Sequence, residues 1–161
     1  MWPSTYSFGY NSMDVGPKRD IVGELERAFR LNHPDIHFGL YYCLWEFENP
    51  IWLKDLANKK TTRYAIRQLQ NTTRVGLFDI IYTHIYVHVY SILRFNRQYA
   101  ITKAIPELYE LVKNYKPDIV WSDSGDALGN GKYVGSQEFL AWLYNDSPVK
   151  DCVVTNDRSV L

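Results

Sequence analysis

The sequence contains little cysteine and no excess of charge. Cys43 and Cys152 are the only two cysteines, and two cannot define a disulfide framework or a zinc site. Lys plus Arg and Asp plus Glu balance at 18 each, and no block of like charge stands out. The sequence therefore lacks the basic patch that phosphate-driven binding requires, and we expect no nucleic-acid partner.

Long uninterrupted hydrophobic runs are also absent. The most apolar stretch, residues 75–93, contains Asp79, His84 and His88, and such groups make it a poor transmembrane helix. The first six residues have neither the basic segment nor the apolar segment of a signal peptide. We therefore expect no membrane partner and no signal peptide in this chain.

Aromatic residues, in contrast, are abundant and make up 16% of the sequence. Aromatic rings pack well in protein cores, which is their commonest use, and their faces also stack on sugar rings. The composition alone leaves both uses open.

Hydrophobic spacing and end signals predict an alternation of helices and strands. The predicted helices span residues 20–31, 105–116 and 136–145. Asp20 and Ser136 are the expected N-caps of the first and third, and Pro106 is expected at the first position of the second. The predicted strands span residues 37–43, 118–123 and 152–157, with the first one buried. Alternation of this kind favours an α/β fold with parallel strands.

Polar or aromatic side chains stand at the carboxyl end of each predicted strand. They are Tyr41 and Tyr42, then Asp123, then Asp157 and Arg158. Ligands bind at this edge in a (β/α)8 barrel and also in a doubly wound sheet. The alternation alone does not choose between these two architectures.

Residues from about 60 to 96 interrupt the alternation. Their centre, residues 81–90, repeats Ile, Val, Thr and Tyr on both faces, which suggests a translated non-coding repeat or an unusual loop insertion. His84 and His88 have a spacing that would allow metal binding on a helix, but no third ligand stands nearby. We expect no metal and no organic cofactor.

The most informative motif is Trp121-Ser122-Asp123. A carboxylate at the mouth of a barrel strand, beside an indole, suits a glycosidase. The carboxylate can attack an anomeric carbon while the aromatic ring holds the apolar face of the sugar. The same pattern is typical of a strand-end aspartate that caps a turn with Ser124 and Gly125, so the residues alone leave both readings open.

Longer motifs carry a family resemblance. The run Tyr-Lys-Pro-Asp-Ile-Val-Trp-Ser-Asp at residues 115–123 resembles the nucleophile strand of the α-L-fucosidases, glycoside hydrolase family 29. Further matching motifs lie at residues 2–4 (Trp-Pro-Ser), 11–20, 39–42, 106–112, 139–151 and 153–158 (Val-Val-Thr-Asn-Asp-Arg). The resemblance covers most of residues 1–58 and 98–158.

The resemblance implies a retaining α-L-fucosidase that removes terminal fucose from fucosylated glycans or glycoproteins. By that implication Asp123 is the catalytic nucleophile, and Tyr41, Trp121 and Arg158 bind the sugar. Tyr41 and Trp121 could instead be packing residues, and Arg158 could pair with a neighbouring aspartate. The family also implies no cofactor, a lysosomal or secreted location and a possible homo-oligomer.

Several departures from the family pattern accompany the resemblance. The family's adjacent histidine pair would precede Met1, and its general acid/base would follow Arg158, so neither is expected in this chain. Ser124 stands where glycine is usual. Because a complete barrel takes about 250 residues, we expect residues 1–161 to be a partial catalytic domain. It would be an incomplete (β/α)8 TIM-barrel fragment of about three parallel strands with outer helices and an atypical insert at about 60–96. The alternative is a truncated, catalytically inactive fragment or a mis-assembled gene product with at most weak sugar binding.

Overall fold

The computed structural model describes residues 2–7, 9–46, 48–58, 97–123 and 133–157. The chain divides into two compact units, residues 1–45 with 100–161, and residues 46–99. The elements in chain order are α1 (Ile21–Asn32), β1 (Gly39–Cys43), α2 (residues 50–58), a π-helical turn (Ala100–Ala104), α3 (Ile105–Tyr115), β2 (Ile119–Asp123), α4 (Ser136–Asn145) and β3 (Val154–Thr155). Within the described ranges no helix has the length and apolar character needed to cross a membrane.

The sheet of the first unit has three parallel strands in the order β1-β2-β3. Tyr41 pairs in register with Trp121, and Cys43 pairs with Asp123. The predicted α/β fold with three neighbouring parallel strands is therefore confirmed. The strands are shorter than predicted, most clearly β3, whose ladder to β2 holds only two residues. Cys152, predicted as the start of that strand, lies in a turn instead, where its N–H donates to the Val149 carbonyl at 3.0 Å.

Helix α1 begins where its capping residue predicts. The Asp20 carboxylate accepts a hydrogen bond from the Gly23 N–H at 3.0 Å, which satisfies one of the unpaired donors of the first helical turn. The Tyr115 hydroxyl, at the end of α3, donates to the same carboxylate at 3.0 Å. A Cβ atom at Gly23 would lie 2.5 Å from Asp20 Oδ2, so a larger residue there would displace the capping carboxylate. The cap thus joins α1 to α3.

Helix α3 packs on the sheet through a buried carboxylate. Glu107 is 1% exposed, and its Oε2 accepts from the Tyr42 hydroxyl of β1 at 2.7 Å. Its Oε1 accepts from Ser4 Oγ at 2.9 Å, from Lys103 Nζ at 3.0 Å and from Ser7 Oγ. Because a buried charge is costly unless it is paired, these bonds fix α3 against β1 and against the segment before α1 that contains Ser4 and Ser7.

Helix α4 spans the predicted residues, but its cap differs from the prediction. Gly135 is the N-cap, with a left-handed backbone at φ 77° and ψ 32°, and no side chain caps the helix. Ser136, the predicted cap, is instead the first helical residue and is buried. Helix α4 contacts α3 through aromatic rings, with 4.4 Å between the ring centroids of Tyr109 and Trp142.

The two faces of the sheet differ in burial. Side chains that alternate along a strand point to opposite faces, and Tyr42, Val120 and Ser122 point to the buried one. Tyr41 is 54% exposed and Trp121 is 41% exposed, on the opposite face. The prediction that β1 is a buried strand is therefore wrong for one of its faces. The run His-Phe-Gly-Leu-Tyr-Tyr-Cys has no apolar-polar alternation that would mark one face as exposed, because aromatic side chains stand on both faces.

The second unit contains α2 and a small buried cluster of its own. The rings of Trp52 and Tyr99 lie 6.2 Å apart between centroids. The Tyr99 N–H donates to Asp55 Oδ2 at 2.9 Å, and the Tyr99 hydroxyl accepts from the Glu46 N–H at 3.1 Å. The predicted insert at about 60–96 lies outside the described residues, as do His84 and His88.

Candidate active site

The exposed face of the sheet brings together three of the four predicted site residues. Tyr41 and Cys43 on β1 pair in parallel register with Trp121 and Asp123 on β2. Residues two apart on a strand share a face, so all four side chains stand on one side of the sheet, near the carboxyl ends of the strands. We call Tyr41, Trp121 and Asp123 the strand-end cluster.

Two aromatic rings form one wall of the strand-end cluster. The ring centroids of Tyr41 and Trp121 are 5.3 Å apart with an interplanar angle of 40°, a favourable separation for an aromatic pair. About half of each side chain remains exposed. The pair therefore offers an apolar surface to a ligand instead of a closed core contact.

The Asp123 carboxylate adjoins this wall. Tyr41 Oη donates to Asp123 Oδ2 at 3.5 Å, which is long for a hydrogen bond and therefore weak. The pKa of the Tyr41 hydroxyl lies above its ordinary value because of partial desolvation first, and then because Cys43 and Asp123 disfavour a second negative charge nearby. Tyr41 thus stays protonated near neutral pH and remains a donor beside a carboxylate that is only loosely bound by it.

Sequence reasoning did not single out Cys43, the register partner of Asp123. Its thiol donates to the Trp45 carbonyl at 3.3 Å. Cys43 stands two residues after Tyr41, so strand periodicity could have placed both on one face of β1. The missing signal was the register between strands that lie far apart in the sequence.

Asn156 is a second residue that the sequence analysis overlooked. It follows β3, and its side-chain amide hydrogen-bonds the backbone of Ser122, the residue before Asp123. The Val-Val-Thr-Asn-Asp-Arg motif contains it, but the spacing of a motif does not reveal which backbone an amide contacts. Arg158, the fourth predicted site residue, lies outside the described residues.

No metal centre is formed by the part of the chain that the structure describes. In those ranges no three His, Cys, Asp or Glu residues cluster in a way that could hold a metal ion. The strand-end cluster itself presents a carboxylate beside two aromatic rings.

Comparison with known proteins identifies the family. The family model described as Alpha-L-fucosidase matches residues 1–161, the whole chain. The chain belongs to the α-L-fucosidase family. An α-L-fucosidase of Branchiostoma floridae is 48% identical over 157 residues, which cover 98% of this chain and 27% of that protein.

Mammalian α-L-fucosidases are similar over the same share of the chain. The plasma α-L-fucosidase of Homo sapiens is 42% identical, covering 98% of this chain and 26% of its own length. The tissue α-L-fucosidase of Rattus norvegicus is 41% identical with the same coverage, 98% and 26%. The chain thus spans about a quarter of the length of the curated α-L-fucosidases it matches.

Proposed function

We propose that residues 1–161 form part of the catalytic domain of a retaining α-L-fucosidase, which releases terminal α-L-fucose from glycoconjugates. The observation that carries the proposal is the strand-end cluster, a carboxylate beside two half-exposed aromatic rings on the open face of parallel strands. Membership of the α-L-fucosidase family over the whole chain supports the choice of sugar.

In the proposed reaction Asp123 attacks the anomeric carbon of fucose and forms a covalent fucosyl-enzyme. A second carboxyl group, roughly 5 Å from that of Asp123 and not among residues 1–161, protonates the leaving oxygen. As a carboxylate it then activates the water that releases fucose. Trp121 and Tyr41 hold the apolar face of the ring, and Arg158 hydrogen-bonds its hydroxyl groups. Two successive inversions at the same carbon give net retention.

We also propose that the sheet is part of a (β/α)8 barrel. Ile119 and Val154 pair with each other away from the strand-end cluster, and both are apolar and exposed on the face opposite the helix-covered one. The inward faces of barrel strands are filled by side chains from alternate strands, so the remaining strands of a barrel would cover these residues. Within this arrangement residues from about 60 to 96 are an insertion between two barrel elements.

The fucosylated glycans and glycoproteins proposed as substrates imply a matching location. The relatives include proteins named plasma and tissue α-L-fucosidase. We propose that the complete protein works in the lysosome or outside the cell.

The test uses a chimera in which residues 1–161 replace the matching quarter of the Branchiostoma floridae α-L-fucosidase. We expect this chimera to hydrolyse an aryl α-L-fucoside and to release the α-anomer of fucose first, as seen by proton NMR. A second chimera that keeps the relative's own sequence in place of residues 60–96 separates the effect of that segment. The alternative, an inactive fragment with at most weak sugar binding, predicts no turnover in either chimera.

The decisive variant is Asp123→Gly. We expect turnover to fall more than about a thousandfold with little change in melting temperature, because the nucleophile acts in the transition state and not in packing. Azide should restore part of the rate, because the vacated space admits a small anion. The matched control is Asp146→Gly at the end of α4, which should keep its turnover. If Asp123 only caps a turn, the variant will lose about 1 kcal/mol of stability and remain active.

A further inference from the structure

Strand β3 is bound to β2 by a side chain as well as by its backbone. The backbone ladder pairs Ile119 with Val154 and Val120 with Thr155, and then it stops. Directly beyond it, Asn156 Oδ1 accepts from the Ser122 N–H at 3.1 Å, and Asn156 Nδ2 donates to the Ser122 carbonyl at 2.8 Å. The side-chain amide therefore continues the sheet where the strand itself ends.

The chemistry of this contact requires a primary amide of the right length. A primary amide places an NH2 donor group and an acceptor oxygen side by side in one plane, so it can bond both the N–H and the carbonyl of one residue. A carboxylate would offer acceptors only, and alanine would offer neither. Ser122 is 3% exposed, and in such a buried place backbone hydrogen bonds are expensive to lose.

The contact adjoins the two β2 residues of the strand-end cluster. Ser122 stands between Trp121 and Asp123 in the chain. On the other edge of β2, the Asp123 carbonyl accepts from the Leu44 N–H at 3.2 Å. The backbone around the carboxylate is therefore held from both neighbouring strands, by Asn156 on one side and by Leu44 on the other.

We propose that Asn156 is a positioning residue for the nucleophile Asp123. This inference rests on the proposed function. Asn156 acts through the Ser122 backbone and need not touch the sugar. Its amide fixes the end of β2, and with it the direction in which the Asp123 carboxylate meets the anomeric carbon. Because a misplacement of about 1 Å can cost roughly a hundredfold in rate, loss of this amide should act on the chemical step.

The kinetic test compares Asn156→Ala and Asn156→Asp in the active chimera with an aryl α-L-fucoside. We expect kcat to fall about tenfold to a hundredfold, with KM within about threefold of wild type, since sugar contacts stay in place. Asn32→Ala is the matched control, because the Asn32 amide also bonds a backbone carbonyl, that of Ala28 at 2.9 Å, but on α1. That control should keep both constants. If Asn156→Ala does not fold, Asn156→Asp retains the side-chain volume and the acceptor.

A structural readout accompanies the kinetics. In the active chimera, Asn156→Ala should speed hydrogen exchange at the Ser122 amide at least tenfold, while the Val22 amide in α1 exchanges as in wild type. Unchanged exchange at Ser122, an unchanged kcat, or a raised KM with normal kcat would each overturn the positioning role. If the wild-type chimera is inactive or Asp123→Gly is fully active, the proposed function fails and this role with it. If Asn156→Ala has a normal kcat and Asp123→Gly is inactive, the positioning role of Asn156 is wrong and the proposed function stands.

Discussion

The two faces of the sheet carry out different tasks with neighbouring residues of the same strands. On the covered face, Tyr42 bonds the buried Glu107 and Val120 is 4% exposed. On the open face, one residue along from each of these, Tyr41 and Trp121 keep about half of their surface accessible. Strand alternation separates the packing residues from the residues of the proposed chemistry without any change of element. Substitutions one position apart should therefore have opposite profiles of stability and activity.

The largest effect on stability is expected from Glu107→Ala on the covered face. The change removes the acceptor of Tyr42 and leaves Lys103 buried without its ion pair, so we expect a loss of about 3–5 kcal/mol. The measurement is urea unfolding of the 161-residue chain. Glu110→Ala is the control on the same helix, because Glu110 is only half-buried and bonds Trp2 Nε1 at 3.1 Å. A Glu107 variant no less stable than this control would contradict the packing role.

Substitutions at two neighbouring residues of β2 test the difference between the covered and the open face most directly. Val120→Ala should cost roughly 2 kcal/mol, because it removes two buried carbon atoms and leaves a cavity. Trp121→Ala should cost less than about 1 kcal/mol despite the larger deletion, because the indole is half exposed. The effects on activity, measured in the chimera, should have the opposite order. Trp121→Ala should lose most fucoside turnover, whereas Val120→Ala should retain it at temperatures below its melting temperature. If the two variants lost stability and turnover to the same extent, the proposed difference between the two faces would be wrong.

The stability contributed by the contact between α3 and α1 should decrease at alkaline pH. The pKa of Tyr115 lies above its ordinary value of 10.0, because burial disfavours the phenolate and the hydroxyl donates to the Asp20 carboxylate. A raised pKa in the folded state means that this contribution is fully present below pH 10 and is lost as the pH rises through the folded value. We expect Tyr115→Phe to be less stable than wild type by about 1.5 kcal/mol at pH 8. That gap in urea unfolding should narrow above pH 10, whereas a constant gap would contradict the assignment.

The smallest effect on stability is expected at the Tyr41 hydroxyl. It lies 3.5 Å from Asp123 Oδ2, at the limit of a hydrogen bond, so Tyr41→Phe should change stability by less than about 0.5 kcal/mol. Turnover in the chimera should fall about threefold to tenfold, since the ring remains and only a weak donor is lost. A stability loss comparable to that of Val120→Ala would show that Tyr41 belongs to the core.

Local signals in the sequence predicted much of the fold. Asp20 marks the start of α1, and the structure confirms its side-chain cap. Pro106, expected at the first position of α3, is its second residue, which is still in the first turn where a missing N–H costs no helical hydrogen bond. The alternation of helices and strands gave the parallel sheet. Ser136 misled the prediction because serine is a frequent cap, whereas the left-handed backbone at Gly135 takes the capping position.

Contacts between distant segments could not be predicted in this way. The Glu107 carboxylate gathers donors from Ser4 and Tyr42, residues that helical or strand periodicity does not relate to it. The contact of Asn156 with Ser122 depends on the register of two strands. For the strand-end cluster, the family resemblance supplied the residues, and the parallel register explains why Tyr41, Trp121 and Asp123 stand together.

The parallel ladder between β1 and β2 has a consequence for the length of the chain that connects them. Five residue pairs fix the register of these strands, from Gly39 with Ile119 to Cys43 with Asp123. Closure entropy grows only with the logarithm of the number of residues in a connection, by about 0.6 kcal/mol for each doubling. The position of Asp123 beside Cys43 is therefore set by the ladder and depends little on how many residues separate β1 from β2.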